Sequence, residues 1–474
     1  LWLGVAAAAL LAPAVTLAAE VPDLSKAPRM GAWGYDLSGR DTAVAPGEDF
    51  FAHANGGYLR RTEIPADRSG YGAFDALHEL SVNRMHAVLQ KASGNAAASG
   101  EEAKIGALFQ SFMDEARIEQ LGARPLAADL ARVRQARRRE DVARLMGESH
   151  RAFGSSIFGA AIYDDAKDPE RYAVYLSQGG LYLPDRDYYL DAKFKTQKAA
   201  FEAHVARLLT LAGWTEPAAT AKAIVDLETR IAGVSWTRAE RRDDDKTYNP
   251  VEIAGLPAFA PGFPWAAFLD GARLTRAKKV IVAENTAFPK IAAIFAQTPV
   301  DTLKAWSAFH LAANAAPYLS KDFDQAVFEF RGKTLAGTQE QRPRWKRGVS
   351  LVDSQIGEAL GKIYVAAYFP PESKAKMDAL VADIRTAMKA RIEGLDWMSA
   401  PTKTKALEKL AKFRVKIGYP TRWRDYSGLT IRADDLYGNV ERAAAFDWDY
   451  RVARLDQPVD DEEWGMTPPT INAY

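Results

Sequence analysis

The sequence has 474 residues, 48% of them hydrophobic, enough for a large core and, at this length, for more than one domain. Lysine and arginine number 62 against 61 acidic residues, a near-neutral balance that argues against a nucleic-acid partner. Cysteine is absent, which excludes disulfides, iron–sulfur clusters, a thiol nucleophile and a lipid-modified N-terminal cysteine.

Leu1 to Ala19 is uncharged, rich in alanine and leucine, and ends in Thr16-Leu17-Ala18-Ala19 before Glu20. It reads as the apolar core and cleavage region of a secretory signal without its basic start. A mature chain beginning near Glu20, in the periplasm or outside the cell, is expected, with no stable membrane insertion after cleavage. The alternative is an uncleaved leader acting as a membrane anchor. Residues 20–45 hold scattered Pro and Gly without a period and read as an extended linker. From there helical patterns dominate. Ser99 and Glu102 form a capping-box pair ahead of Ile105, Leu108, Phe109, Phe112, Met113 and Ala116, with Gly122 as the stop. Arg137-Arg138-Arg139, followed at once by Glu140 and Asp141, reads as solvated helix surface, with an anionic partner as the alternative. Ile157 to Tyr163 and Tyr172 to Leu176 predict a hairpin. Phe201, Val205, Leu208 and Ala212 share one helix face, closed by Gly213. Val280-Ile281-Val282 is a short buried strand, and Glu372 to Gly394 a further helix. Ser399 and Pro401 open the last clear helix, with Ala406, Leu407 and Leu410 inward. The fold class is mainly α with minor β.

The chain has six histidines, His53, His78, His86, His150, His204 and His310, and no two are four apart. Two ligands at i and i+4 are what a helix offers a hydrolytic zinc. His78-Glu79 begins like H-E-x-x-H, but Val82 occupies the second histidine's place. His86 lies a further turn on, about 12 Å along a helix from His78, so both rings cannot reach one zinc. His78 therefore reads as an ordinary surface or partly packed residue. Asp243-Asp244-Asp245, flanked by Arg241, Arg242 and Lys246, reads as a solvated, salt-bridged loop rather than a cation site. Asp185 and Asp187 read as turn caps and ion pairs rather than glycosidase carboxylates. Serine-hydrolase, P-loop and dinucleotide fingerprints are not present.

Whole segments nevertheless match a known family. Pro46-Gly47-Glu48-Asp49-Phe50-Phe51, Ala54-Asn55-Gly56-Gly57-Tyr58-Leu59 and Ile64-Pro65 resemble the opening of the neprilysin and endothelin-converting-enzyme family. So do the run from Gly179 through Tyr182-Leu183-Pro184-Asp185-Arg186-Asp187 to Tyr189, and Trp236-Thr237-Arg238-Ala239-Glu240. Gln341-Arg342-Pro343-Arg344-Trp345, Tyr368-Phe369-Pro370-Pro371, Thr402 to Ala406, and Ile417-Gly418-Tyr419-Pro420 with Trp423 follow in the same order. Trp464-Gly465-Met466-Thr467-Pro468-Pro469 and Asn472-Ala473-Tyr474 come last.

The resemblance implies a secreted zinc metalloendopeptidase acting on oligopeptides. Its helical N-terminal part, here 46–426, would cover a thermolysin-like zinc lobe, of which 427–474 would be the start. In the family, H-E-x-x-H and a downstream E-x-x-x-D follow the Asn-Ala-Tyr segment, and zinc activates the attacking water. The zinc ligands and catalytic residues are thus expected beyond Tyr474, none in this chain, and the chain alone is expected to be inactive. Asn472 and Ala473 match the family's substrate-gripping pair, whose amide and carbonyl bond the backbone of an extended peptide. One departure concerns the arginine that meets short substrates' carboxylates: Gly70 stands before Tyr71-Gly72-Ala73-Phe74-Asp75, and Arg68 is two positions early. This weighs against dipeptide release and toward plain endopeptidase action. A peptide-binding pseudo-peptidase and a secreted helical scaffold are the alternatives. Neither the physiological peptide nor the oligomeric state is legible.

Overall fold

The computed structural model describes Gly34 and residues 36–473; the leader expected over residues 1–19 lies outside the described residues, as does much of the 20–45 linker. Apolar residues spaced three and four apart become helices wherever the sequence supplies a start and a stop. Helix α1 (Phe50–Arg61) begins at Asp49, whose carboxylate accepts from the Ala52 amide at 2.8 Å. Helix α2 (Ala73–Gly94) buries Val82, Met85, Val88 and Leu89. Helix α3 (Gly100–Met113) buries Ile105, Leu108, Phe109 and Phe112, as their spacing predicts.

The expected capping box at α3 does not form. Ser99 makes no side-chain cap, and Glu102 instead accepts from Asn95 Nδ2 at 3.2 Å. The helix also ends earlier than expected. Asp114 stops it and caps α4 (Glu115–Leu121) by accepting from the Arg117 amide at 3.0 Å. An aspartate competes for backbone amides better than it continues a helix, so it wins over the apolar period. Ala116 therefore lies exposed on the new helix, which ends at Gly122 with φ +56°.

Helix α5 (Lys195–Leu211) buries Phe201, Val205 and Leu208, and Gly213 (φ +65°) follows as predicted. It packs with α6 (Pro217–Val234) and α7 (Val300–Ala315). The last of these is buried on nearly every face, so it is a core helix rather than an amphipathic one. The expected hairpin is present as β1 (Phe158–Asp165) and β2 (Asp168–Gln178), and the expected strand as β4 (Lys279–Val282). A fourth strand, β3 (Asn249–Glu252), was not legible, being four residues long and containing Pro250. Proline confines a strand to an edge, and the sheet order is β1-β2-β4-β3, with β2 and β4 parallel.

Helix α8 (Arg344–Tyr368) packs on α2 and α3 and breaks at Ile356, whose φ −139° and ψ 43° are not helical. Helices α9 (Pro371–Gly394) and α10 (Ala400–Lys412) form a hairpin, and Ser399 caps α10 as expected. Ala406, Leu407 and Leu410 are only half-buried, because the face they cover belongs to the outlying α9. Helix α11 (Leu436–Ala453) returns the chain to α3 and α8. The architecture is mainly α with a small mixed sheet, and no described helix is long and apolar enough to cross a membrane.

Candidate functional site

Two motifs that are far apart in sequence meet at the start of α2. The amides of Gln339 and Glu340 both donate to Ala66 O, at 2.9 and 3.0 Å, so the Ile64-Pro65 and Gln341-to-Trp345 segments lie side by side. The Gly72 amide donates to Asp75 Oδ2 at 2.9 Å and closes the first turn of α2. Arg68, with its side chain 12% exposed, turns back onto this turn, donating to Asp75 Oδ1 at 2.9 Å and also to Glu79. Lys346 donates to both Glu79 oxygens, at 3.0 and 2.8 Å. Burial alone would raise the Glu79 carboxyl, but Lys346 and Arg68 hold it below its usual value. Burial, then the nearby Arg342 and Arg68 charges, lower His78 and keep it neutral. Arg342 carries two buried guanidinium nitrogens, Nε and Nη2, with no hydrogen-bond partner among the described residues. His86 stacks on Trp345 at 4.3 Å. The H-E pair of α2 is thus an ion-pair and packing element: His78 is partly packed, as expected, and Glu79 is held by Lys346 and Arg68.

The Gly179-to-Tyr189 motif surrounds a buried carboxylate. Glu228 on α6 is fully buried. Its Oε1 accepts from Trp306 Nε1 at 2.9 Å and contacts His310 Nε2 at 2.8 Å. Its Oε2 accepts from the Tyr182 amide at 2.9 Å and from the Tyr189 hydroxyl. The Tyr182 hydroxyl in turn meets His204 Nε2 at 3.0 Å. A second buried carboxylate, Glu284, accepts from the Gln178 amide and from Arg241 Nε, each at 2.7 Å. Neither was legible as functional. The signal for Glu228 was present, however: it sits between Ile224 and Ile231 on an apolar helix face, where a lone acid demands partners. Asp185 caps the Asp187 amide at 3.0 Å and pairs with Arg238 at 2.6 Å, as expected of turn residues. Asp243 pairs with Lys246 at 3.0 Å in an exposed loop.

The residues present do not fit a zinc ion. His204, His310 and Glu228 are the ligand types of a His₂Glu site, but Glu228 and His310 spend themselves on each other and His204 on Tyr182. His150 stacks on Trp448 at 4.5 Å, and His53 Nδ1 contacts Val44 O at 2.7 Å. Among the described residues no group of three or more His, Asp or Glu is arranged to hold a metal.

Asn472 and Ala473 are exposed and lie in irregular backbone. The Asn472 side chain accepts from the Ala473 amide at 2.8 Å. Immediately before them, Thr467 to Pro469 is packed against α8: a Cβ added to Gly357 would fall 2.4 Å from Thr467 Cγ2, and one on Gly361 2.7 Å from Pro468 Cδ.

Comparison with known proteins bears on the same segments. A family model described as peptidase family M13 matches residues 46–420. The crystal structure of Mycobacterium tuberculosis zinc metalloprotease Zmp1 in complex with inhibitor is similar, with 38% identity and a TM-score of 0.88 over 93% of this chain and 67% of that one. Endothelin-converting enzyme-like 1 of Mus musculus is 28% identical over 92% of this chain and 59% of its own length. Neprilysin-3 of Drosophila melanogaster is 28% identical over 92% of this chain and 60% of its own. The chain thus spans about three fifths of the curated relatives it matches.

Proposed function

The chain belongs to peptidase family M13, and from that premise we propose that it is the substrate-enclosing, mostly helical portion of a secreted zinc metalloendopeptidase that hydrolyses oligopeptides. The continuous family match over 46–420 carries this reading. Residues 46–426 form the helical portion in this proposal and 427–474 begin the peptidase lobe. The zinc ligands would lie outside residues 1–474, in keeping with the share of the relatives' length that the chain spans and with the lack of a metal-holding group among the described residues. Asn472 and Ala473 would hold the backbone of an extended peptide, which reads main chain and tolerates many sequences. The commitment of Arg68 to Asp75 and Glu79, with Gly70 bearing no side chain, favours endopeptidase action over dipeptide release. The leader composition supports a periplasmic or extracellular location.

Elemental analysis and an internally quenched nonapeptide test the division of labour. Residues 20–474 alone should hold no stoichiometric zinc and leave the peptide intact, while the full-length protein should hold one zinc and cleave it. One tightly held zinc with peptidase activity in residues 20–474 alone would refute the proposal. A full-length protein that binds the peptide and never cleaves it would instead be a pseudo-peptidase.

A further inference from the structure

Helix α8 carries a face built to receive another piece of backbone. Gly357 and Gly361 are spaced four apart and so share one row of the helix, and Asp353 lies beside Gly357 at the head of that row. The row straddles the break at Ile356, which is fully buried and sets the direction of the second half of α8. Thr467 and Pro468 occupy this row. A side chain at either glycine would collide with them, as the 2.4 and 2.7 Å approaches show, and a Cβ at Gly357 would also lie 3.1 Å from Asp353 Oδ1. Burial pushes the Asp353 carboxyl above its usual value, and the neighbouring Thr467 hydroxyl works against that shift. Asp353 Oδ1 itself has no hydrogen-bond partner. A tight turn completes the fit: the Thr470 amide donates to Thr467 O at 3.0 Å, and the two threonine hydroxyls are 3.0 Å apart. Pro469 is buried behind them.

The segment is fastened at a second place upstream. Arg414 pairs with Asp461 at 3.1 Å and with Glu462, Arg422 pairs with Asp460, and Arg454 pairs with Glu463. These ties end at Glu463. With both fastenings made, Asn472 stands three residues past Pro469, a reach of about 10 Å at ~3.4 Å per residue.

We propose that Asp353, Gly357 and Gly361 are positioning residues, which dock Thr467-Pro468 on α8 and thereby fix where Asn472 and Ala473 meet the backbone of a peptide substrate. This rests on the proposed substrate-binding role of Asn472 and Ala473. Side chains on a helix thus decide the presentation of a pair they do not touch, through a strap of five residues.

The test compares Thr467→Val, Thr467→Ser, Gly361→Ala and Asn472→Ala in the full-length protein. Hydrogen–deuterium exchange over residues 464–473 reports docking without any need for activity, and turnover of an internally quenched nonapeptide reports the consequence. Thr467→Val, which keeps the shape and loses the hydroxyl, should speed exchange of this segment by tenfold or more and lower kcat/KM by about tenfold, with melting temperature and zinc content unchanged. Thr467→Ser should restore both. Gly361→Ala should act like Thr467→Val, while Asn472→Ala should lower kcat/KM without altering exchange over residues 464–471. The inference fails alone if Asn472→Ala slows turnover but Thr467→Val and Gly361→Ala leave exchange or turnover at the parent level. If Asn472→Ala turns over the peptide normally, the substrate-contact reading fails, and the positioning role falls with it.

Discussion

Replacing Glu228 by glutamine should destabilise the protein by about 2–4 kcal/mol although the two side chains have the same shape. The reason lies in which donors can adapt. Oε1 faces Trp306 Nε1 and His310 Nε2, and Oε2 faces the Tyr182 amide and the Tyr189 hydroxyl. The tyrosine hydroxyl can rotate and the imidazole can change tautomer. The indole N–H and the backbone N–H cannot, and one of these fixed donors points at each oxygen. Either orientation of a glutamine amide therefore sets its NH₂ against a fixed donor. A buried donor left without an acceptor costs about 1–3 kcal/mol, and the opposed NH₂ is a second one. The charge that Glu228 loses refunds part of its desolvation, which keeps the total below the sum. Glu228→Leu abandons all four donors and should cost more than Glu228→Gln. Urea unfolding followed by tryptophan fluorescence reads the difference as a shift of midpoint at constant slope. A glutamine variant within about 0.5 kcal/mol of the parent would show that Glu228 is not the acceptor around which the Tyr182 and Tyr189 motif is built, since such a shift is what an inert surface change produces.

Burial depresses His150 from 6.5 to about 4 and leaves its Nε2 unpartnered. Because the folded state resists the proton and the unfolded chain does not, stability should be full above pH 6.5 and fall by roughly 3 kcal/mol as the pH drops to 4. His204, depressed to about 3, should add its own loss over the same range, from pH 6.5 downward and continuing to about pH 3. His150→Phe should remove its own share of this loss, and urea midpoints at pH 7 and 4.5 that stay parallel in variant and parent would contradict the assignment. Under the proposed function, Asn472→Ala should lower kcat/KM of the zinc-loaded enzyme by roughly 10- to 100-fold for peptides of unrelated sequence, with melting temperature held. Equal cleavage of several such peptides would make the residue structural. N-terminal sequencing of exported protein should begin near Glu20, and an intact leader in the membrane fraction would favour an anchor.

The elements that could be read in advance are those whose period and punctuation agree. The 195–211 helix has its apolar face and its terminal Gly213, and the β1–β2 hairpin its aromatic strands and polar turn. Misreadings occurred where a single polar residue outbids the period. Asp114 divides one expected helix into two, and Asn95 takes the glutamate that the capping box needed. Strand β3 carries too little pattern to be seen, because its pairing is decided by β4 and not by its own four residues. The candidate site was legible only in part for a related reason. Arg68 announces itself as a cation near a known motif, but its partners Asp75 and Glu79 are chosen by the packing of α2 against α8.

The motifs that made the family legible are largely not those that do chemistry. The Gly179-to-Tyr189 run is specific because the Tyr182 amide and the Tyr189 hydroxyl must both reach one buried carboxylate on α6 while the Tyr182 hydroxyl meets His204. The Gln341-to-Trp345 run and its immediate neighbours, from Gln339 to Lys346, must meet Ala66, Glu79 and His86 at once. The Trp464-to-Pro469 run must fit between two glycines of α8 that admit no side chain. Each of these conditions joins segments distant in sequence, so each constrains several residue types together, which is why short matches of modest weight combine into a strong one. A reactive centre would need a few side chains held by such a frame, and a frame can be recognised before its reactive residues are seen. In this chain the frame includes Thr467 and Pro468, seated against Gly357 and Gly361 of α8, and under the proposed function it would lead on to Asn472.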